Sequence, residues 1–328
     1  MGAMNQPVFL SLLPVVLLIA TGFLAGRAQW IRAAAIKDLS NLVFLLLTPA
    51  LLFRTMSQVR VEQLDFKPVA AYFVAVAILF GSTLLIQGFN RRAAVLALAS
   101  TFSNTVMIGI ALIGLMYGPQ GLVTLLTLVS VHSLVLLTSA TVVLELAVAH
   151  EKKNAAPGDG PLPAPQHQLA TVLMAVKNAL LHPVPLPIMA GLLFAQTGLA
   201  IPAVIDKPLE LLANAFGPLA LVLVGVTLAN TAIGRHWRAA LALAAVKNLL
   251  HPLLVFGLCH LLGVVGLPMV VMVVASALPI GANVFLFSQR YKVAEELVTA
   301  SVVVSTALAL ATLTLVLLLM QALAAPVG

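Results

Sequence analysis

Apolar and polar positions alternate along this chain in long blocks rather than at short periods. Apolar windows of about 20 residues, the length a helix needs to cross about 30 Å of hydrocarbon, fall at 8–26, 39–57, 67–89, 93–117, 121–148, 169–197, 209–231, 238–263, 267–289 and 297–323. The pattern predicts an all-α integral membrane protein with ten transmembrane helices. One connection is long and polar: His150 to Gln168, HEKKNAAPGDGPLPAPQHQ. It is rich in Pro and Gly and cannot bury a core. It predicts a cytoplasmic linker at 150–168 between a first five-helix unit at 1–149 and a second at 169–328.

Two of the windows carry helix-breaking residues at their midpoints. The stretch Ala275 to Tyr291 holds Pro279 and Gly281, and the stretch Arg91 to Tyr117 holds Ser103, Asn104 and Thr105. Backbone groups freed at bilayer depth are tolerated only when buried in protein or lining a wet cavity, so each break is a candidate binding site. A half-helix that begins inside the membrane presents N–H groups and the positive end of its dipole, which favours an anion and above all a carboxylate. Pro279 removes a donor and clashes with the turn before it, and Gly281 lets the backbone turn. Asn104 and Asn283 add neutral amides that donate and accept. The run Gly109, Gly114, Gly118 suits close helix packing.

The two units also resemble each other. Leu122-Val123-Thr124 recurs as Leu297-Val298-Thr299, and Ser130 then matches Ser305. The same offset sets Asn104 opposite Pro279. Asn41 with Pro49 has a counterpart in Asn214 with Pro218, at a different spacing; Asn41 joins the candidate binding residues, and Pro49 and Pro218 become candidate hinges of a scaffold. With an odd number of spans in each unit, the second must enter the membrane inverted. Inverted repeats with broken helices in corresponding places are a signature of secondary transporters, with the site near the midplane.

Composition agrees and excludes other classes. Hydrophobic residues make up 62% of the chain and charged residues 8%, against about 25% charged in a soluble domain, and mean hydropathy is +1.12. The net charge of +7 does not point to nucleic acid, because the basic residues form neither a face nor a run interleaved with aromatics. They separate by side instead. Arg27, Arg32, Lys37, Arg91, Arg92, Lys152, Lys153, Arg235, Arg238, Arg290 and Lys292 follow the odd-numbered spans, whereas Arg54, Arg60, Lys67 and Lys207 lie opposite. The positive-inside rule then puts both termini outside. The first stretch lacks the basic region of a secretory signal and is followed by further spans, so it reads as a transmembrane helix. Cys259, the single cysteine, rules out an intrachain disulfide and reads as a small buried hydrophobe. Neither HExxH nor GxSxG occurs, and the histidines lack metal-ligand spacing, so no enzyme, cofactor or metal is expected.

Ionisable residues at depth are the remaining signal. Lys247 and His251 sit one turn apart, with an echo in Lys177 and His182. A lysine at a helix centre costs about 2.5–3.5 kcal/mol on insertion scales, so Lys247 should face the interior and pair. Two roles stay open for it: a counter-charge to helix C-terminal carbonyls, or a cation that draws in an anion or exchanges a proton. His132 is either a hydrogen-bonded core residue or part of a proton relay. Carboxylates are nearly absent at depth, with Glu145, Asp38, Asp206 and Glu210 near the interfaces, which disfavours sodium coupling.

The segments TFSNTVMIGIALIGLMYG, ASALPIGANVFLFSQRYKV and LSNLVFLLLTPALLF resemble the auxin efflux carrier family, which includes plant PIN-type carriers and bacterial malonate-type transporters. The similarity covers essentially the whole chain, and the ALPxGANVF-like segment is its most specific part. The resemblance implies two inverted five-helix repeats, crossing broken helices 4 and 9, a transport domain moving against a scaffold, and a homodimer in a bacterial-type inner membrane. It implies an organic-anion substrate at Ser103, Asn104, Thr105, Pro279, Gly281 and Asn283. Where the family tends to carry IGxP after the first break, this chain has Ala111 in place of the proline. The long loop of the plant carriers is missing. The expected function is therefore alternating-access transport of a malonate-like or other carboxylate, proton-linked or uncoupled. The alternative is a sodium-coupled bile-acid-like symporter or a cation/proton antiporter on a related fold.

Overall fold

Helix α1 (Val8–Arg27) runs through Pro14 without a break. Helix α2 (Ala35–Leu42) continues through a π-turn at Val43–Leu47 into α3 (Thr48–Met56). The extra residue of the π-turn sits just before Pro49, where the ring denies the helix a donor and crowds the preceding turn. The same device recurs where α9 (Trp237–Ala245) passes through Val246–Leu250 into α10 (His251–Leu261), just ahead of Pro252. Between these lie α4 (Lys67–Gln87), α5 (Arg91–Thr101), α6 (Ala111–Asn154), α7 (Pro185–Gln196) and α8 (Ala203–Ala229). The chain ends with α11 (Gly266–Ala277), α12 (Asn283–Tyr291) and α13 (Glu295–Ala324). The computed structural model describes residues 8–59, 64–154, 185–231, 234–281 and 283–324, and these are helical apart from turns, connections and one isolated β-bridge.

Six helices in the described residues are long and apolar enough to cross a membrane, with shorter apolar helices at Leu13–Arg27, Leu186–Gln196 and Gly266–Ala277. The ten apolar windows are thus not ten continuous helices. The windows at 93–117 and 267–289 are each divided, into α5 and the start of α6 and into α11 and α12. Helix α6 changes direction at Gly118, whose φ of 59° is open to glycine and strained for other residues, followed by Pro119. The first part of the window at 169–197, with Lys177 and His182, lies outside the described residues, as does Arg60. Helix α6 continues to Asn154, so the expected linker begins as helix; its remainder, 155–168, lies outside the described residues too.

Packing sorts the helices differently from the order of the chain. Helices α1 and α3 pack on α8, and α3 also packs on α7. Helices α4, α5, α6, α9, α10, α11 and α13 form a second set through α4 on α5, α10 on α4 and α11, and α9 on α13. Each set draws on both halves of the chain. In the first, Gly22 and Gly225 bring α1 and α8 to backbone contact: a Cβ at Gly22 would stand 1.9 Å from the Val222 carbonyl oxygen, and one at Gly225 2.0 Å from that of Ile19. The expected glycine stripe 109/114/118 is not such a face. Gly109 packs against Leu278, Gly114 approaches Leu122, and a Cβ at Gly118 would meet nothing within 4 Å.

Candidate functional site

Helix α5 ends without a proline. Its last turn runs into Phe102, which is extended, and the Ser-Asn-Thr run that follows favours side-chain bonds to local backbone over a helical interior. Asn104 ends the extended stretch and caps the next helical segment: its side chain accepts from Met107 N at 3.3 Å and its carbonyl from Gly109 N at 3.1 Å. A π-turn, Thr105–Ile110, then leads into α6. The cap and the π-turn make the break here, with Ala111 where a proline is common.

Helix α11 ends by a different route. Leu278 is held extended (φ −59°, ψ 149°), as the residue before a proline prefers, and α12 begins at Asn283. The two extended stretches pair antiparallel as a bridge between Ser103 and Ile280. Asn104 N donates to the Pro279 carbonyl and Gly281 N to the Phe102 carbonyl, both at 2.9 Å. Each break therefore satisfies backbone groups that the other leaves open, as burial at this depth demands. Gly281 is required for the approach, since a Cβ there would lie 2.6 Å from the Phe102 ring and 3.2 Å from the Ser103 carbonyl oxygen.

Three polar side chains hold the second break from behind. Lys247, fully buried in its π-turn, donates from Nζ to the carbonyls of Ser276 and Leu278, each at 2.6 Å. It caps the carboxyl end of α11, the favourable place for a cation. Asn248 Nδ2 donates to the Ser305 carbonyl at 2.8 Å, and Ser305 Oγ receives the N–H of Ile280 at 3.1 Å. Ser130, its partner in the sequence repeat, bonds only within its own helix, to Thr127.

In front of the breaks lies a cavity of about 600 Å³. Ser103, Asn104, Thr105, Gly281 and Asn283 form one wall, α2 contributes Ile36 and Ser40, α8 contributes Thr227 with Thr231 just past its end, and α13 contributes Thr299 and Thr306. It thus lies between the two packing sets. Its described lining contains amides, hydroxyls and apolar groups and no charged side chain. The hydroxyls of Thr227, Thr231, Thr299 and Thr306 donate to carbonyls four residues back along the chain, so they offer the cavity oxygen lone pairs. Asn104, whose carbonyl oxygen is engaged by Met107 N, keeps its amide N–H₂ as a donor.

The structure brings five of the expected binding residues to this wall and leaves others elsewhere. Pro279 is buried behind it. Asn41 is exposed and absent from the lining; one residue is about 100° around a helix, and Ser40 takes the inward position. Pro218 does not interrupt α8, which runs on through it, and its side chain is exposed. His132 and His251 are fully buried and, like Lys247, are not part of the lining. Sequence reasoning missed Tyr72, whose hydroxyl bonds Ser103 Oγ at 3.0 Å and His132 Nε2 at 3.2 Å. A tyrosine inside an apolar span needs such a partner, and that was the available signal. The threonine pairs at 227/231 and 299/306 were also legible, as polar positions on one helix face.

The profile of the family described as membrane transport protein matches residues 7–317. The chain is also 27% identical over 322 residues, 96% of either chain, to a protein of Rhizobium meliloti (strain 1021) named "Putative malonate transporter".

Proposed function

The chain belongs to the membrane transport protein family, that of the auxin efflux carriers, and from that premise we propose that it carries small organic anions, malonate-like or other carboxylates, by alternating access. It is a multi-pass membrane transporter and not an enzyme. The observation that carries the substrate class is the pair of breaks bonded to each other through Asn104–Pro279 and Gly281–Phe102 at the wall of a cavity whose described lining carries no charge. The helix-start dipoles and the Asn104 amide favour a carboxylate there, and neutral donors hold it weakly enough for release. Ser103, Thr105 and Asn283 complete the cradle. The similarity to a protein named for malonate points to the same class.

The remaining features belong to the same proposal. The chain forms two inverted five-helix repeats, 1–149 and 169–328, joined at 150–168, and the broken spans at 93–117 and 267–289, the fourth and ninth of the ten windows, cross at the site. The set built on α1, α3, α7 and α8 is the scaffold, with Pro49, which follows a π-turn, at its hinge, and the set carrying the breaks moves against it. The cavity between the sets opens to one side and then the other. The protein works as a homodimer in a bacterial-type inner membrane with both termini outside. Uptake of radiolabelled malonate and a panel of mono- and dicarboxylates into vesicles from expressing cells tests the reading. It predicts uptake above empty vesicles for at least one carboxylate, reduced at least tenfold by Asn104→Ala; equal uptake in the variant overturns the placement, and none for any carboxylate overturns the substrate class.

A further inference from the structure

Behind the first break, three ring side chains from three helices enclose a polar site that the cavity does not use. Tyr72 of α4 stands between His132 of α6 and His251 at the start of α10, with ring centroids 5.7 Å and 5.2 Å away. All three are fully buried. Tyr72 is bonded on both sides, to His132 Nε2 and to Ser103 Oγ. The histidines are not satisfied: among the described residues, His132 Nδ1 and both ring nitrogens of His251 are buried without a hydrogen-bond partner. A neutral imidazole always carries one N–H and one lone pair, so three unpaired ring nitrogens are a cost that a purely structural core would not keep.

Resting on the carboxylate reading above, we propose that the His132–Tyr72–Ser103 chain is a proton-binding site, occupied when the cavity holds a carboxylate, so that anion and proton cross together. The step is a simple protonation. A proton from water adds to the lone pair of the neutral His132 ring, giving an imidazolium, and returns to water from the same ring on the other side. The charged ring donates Nε2–H to the Tyr72 oxygen, and the Tyr72 hydroxyl, keeping its own proton, donates a hydrogen bond to Ser103 Oγ at the cavity wall.

Charge explains why the two ligands bind together. An anion in the cavity meets no cationic side chain in the described lining, and Lys247 is committed to the carbonyls of Ser276 and Leu278. An imidazolium alone in the core is costly, whereas one joined to a carboxylate by three hydrogen bonds, through Tyr72 and Ser103, is compensated in part by their attraction, which a low-dielectric interior screens little. By linkage each ligand raises the affinity for the other to the same extent. The other titratable groups facing this ring are Tyr72, Lys247 and His251; Phe102 covers it at 4.8 Å. Lys247 and His251 are basic neighbours that disfavour the imidazolium, so the proton is held only while the carboxylate is present.

The test uses the full chain in proteoliposomes with radiolabelled malonate, and with the other carboxylates of the panel should malonate be inactive. Exchange at equal pH and accumulation under an inward proton gradient are read side by side. For one proton per anion, each unit of pH gradient supports about tenfold more accumulation. His132→Gln, which cannot titrate but keeps an amide for Tyr72, should exchange more weakly at equal pH, without the proton that compensates the anion, and should lose the gradient-driven part altogether. Tyr72→Phe, which keeps the imidazole and cuts its link to Ser103, should lose it as well and serves if His132→Gln does not fold. Exchange in the natural protein that ignores the gradient overturns the proton site and leaves the carboxylate reading standing. Gradient-driven accumulation that survives both variants also overturns it. Absence of exchange with every carboxylate removes the reading and the proton site together.

Discussion

The backbone N–H of Asn104 donates to the carbonyl of Pro279 across 175 residues of chain, at 2.9 Å. Neither residue is in a helix, and each lies where a membrane helix has been interrupted. The bond makes one site of two interruptions: a helical segment starts at Thr105 and another at Asn283, with their first turns beside one cavity.

Asn104→Ala should act twice. Loss of its cap on Met107 N should lower stability by about 1 kcal/mol, as for other caps. The larger effect should be on ligand: affinity for the carboxylate, measured by isothermal titration of purified protein, should fall at least tenfold. A stability loss with unchanged affinity would assign Asn104 to the fold alone.

Gly281→Ala should be far worse than its size suggests. The new methyl group would meet the Phe102 ring at 2.6 Å and the Ser103 carbonyl oxygen at 3.2 Å, so the paired strands must part. Overpacking costs about 1–3 kcal/mol, and transport should be abolished even where the protein is recovered from membranes. Phe102→Ala in the same chain should restore part of the activity, since it removes the closer of the two clashes.

Lys247→Met keeps an unbranched side chain, one atom shorter, and removes its donors. The carbonyls of Ser276 and Leu278 are then left open in the core, at about 1–3 kcal/mol for each unsatisfied group. Thermal unfolding should shift down sharply. Lys247→Arg should not rescue it fully, because a planar guanidinium does not reproduce the approach of a compact amine to two carbonyls 2.6 Å away.

Gly22→Ala and Gly225→Ala should destabilise the contact between α1 and α8, where a methyl group would lie 1.9 Å and 2.0 Å from carbonyl oxygens of the facing helix. Gly118→Ala tests the contrast. It meets no atom but must hold a φ of 59°, so its cost is conformational, about 1 kcal/mol. Melting temperatures should fall in the order Gly118→Ala least, Gly22→Ala and Gly225→Ala most.

Much of this architecture is written in local chemistry, and where it is not the reason is physical. Pro279 and the Ser103-Asn104-Thr105 run announce interruptions because a ring without an N–H, or side chains that compete for the backbone, cannot sit quietly in a helix. The glycines are different. Gly22 and Gly225 look like any others in an apolar span, and only the approach of a distant backbone shows why they are small. Asn41 lies outside the cavity lining and Ser40 within it, a difference of one residue that the sequence between an interface and a π-turn does not declare. Tyr72 went unnoticed because its partners, Ser103 and His132, are 31 and 60 residues away, beyond any helical spacing.

The most direct measurement of the central claim is the thermal stability of detergent-purified protein across small carboxylates and sodium, with Asn104→Ala alongside. A ligand at 100 times its dissociation constant stabilises by about 2.7 kcal/mol, enough to read as a rise in melting temperature. The account predicts a rise with at least one carboxylate, absent in Asn104→Ala, and none with sodium alone. A rise with sodium and with no carboxylate would contradict it.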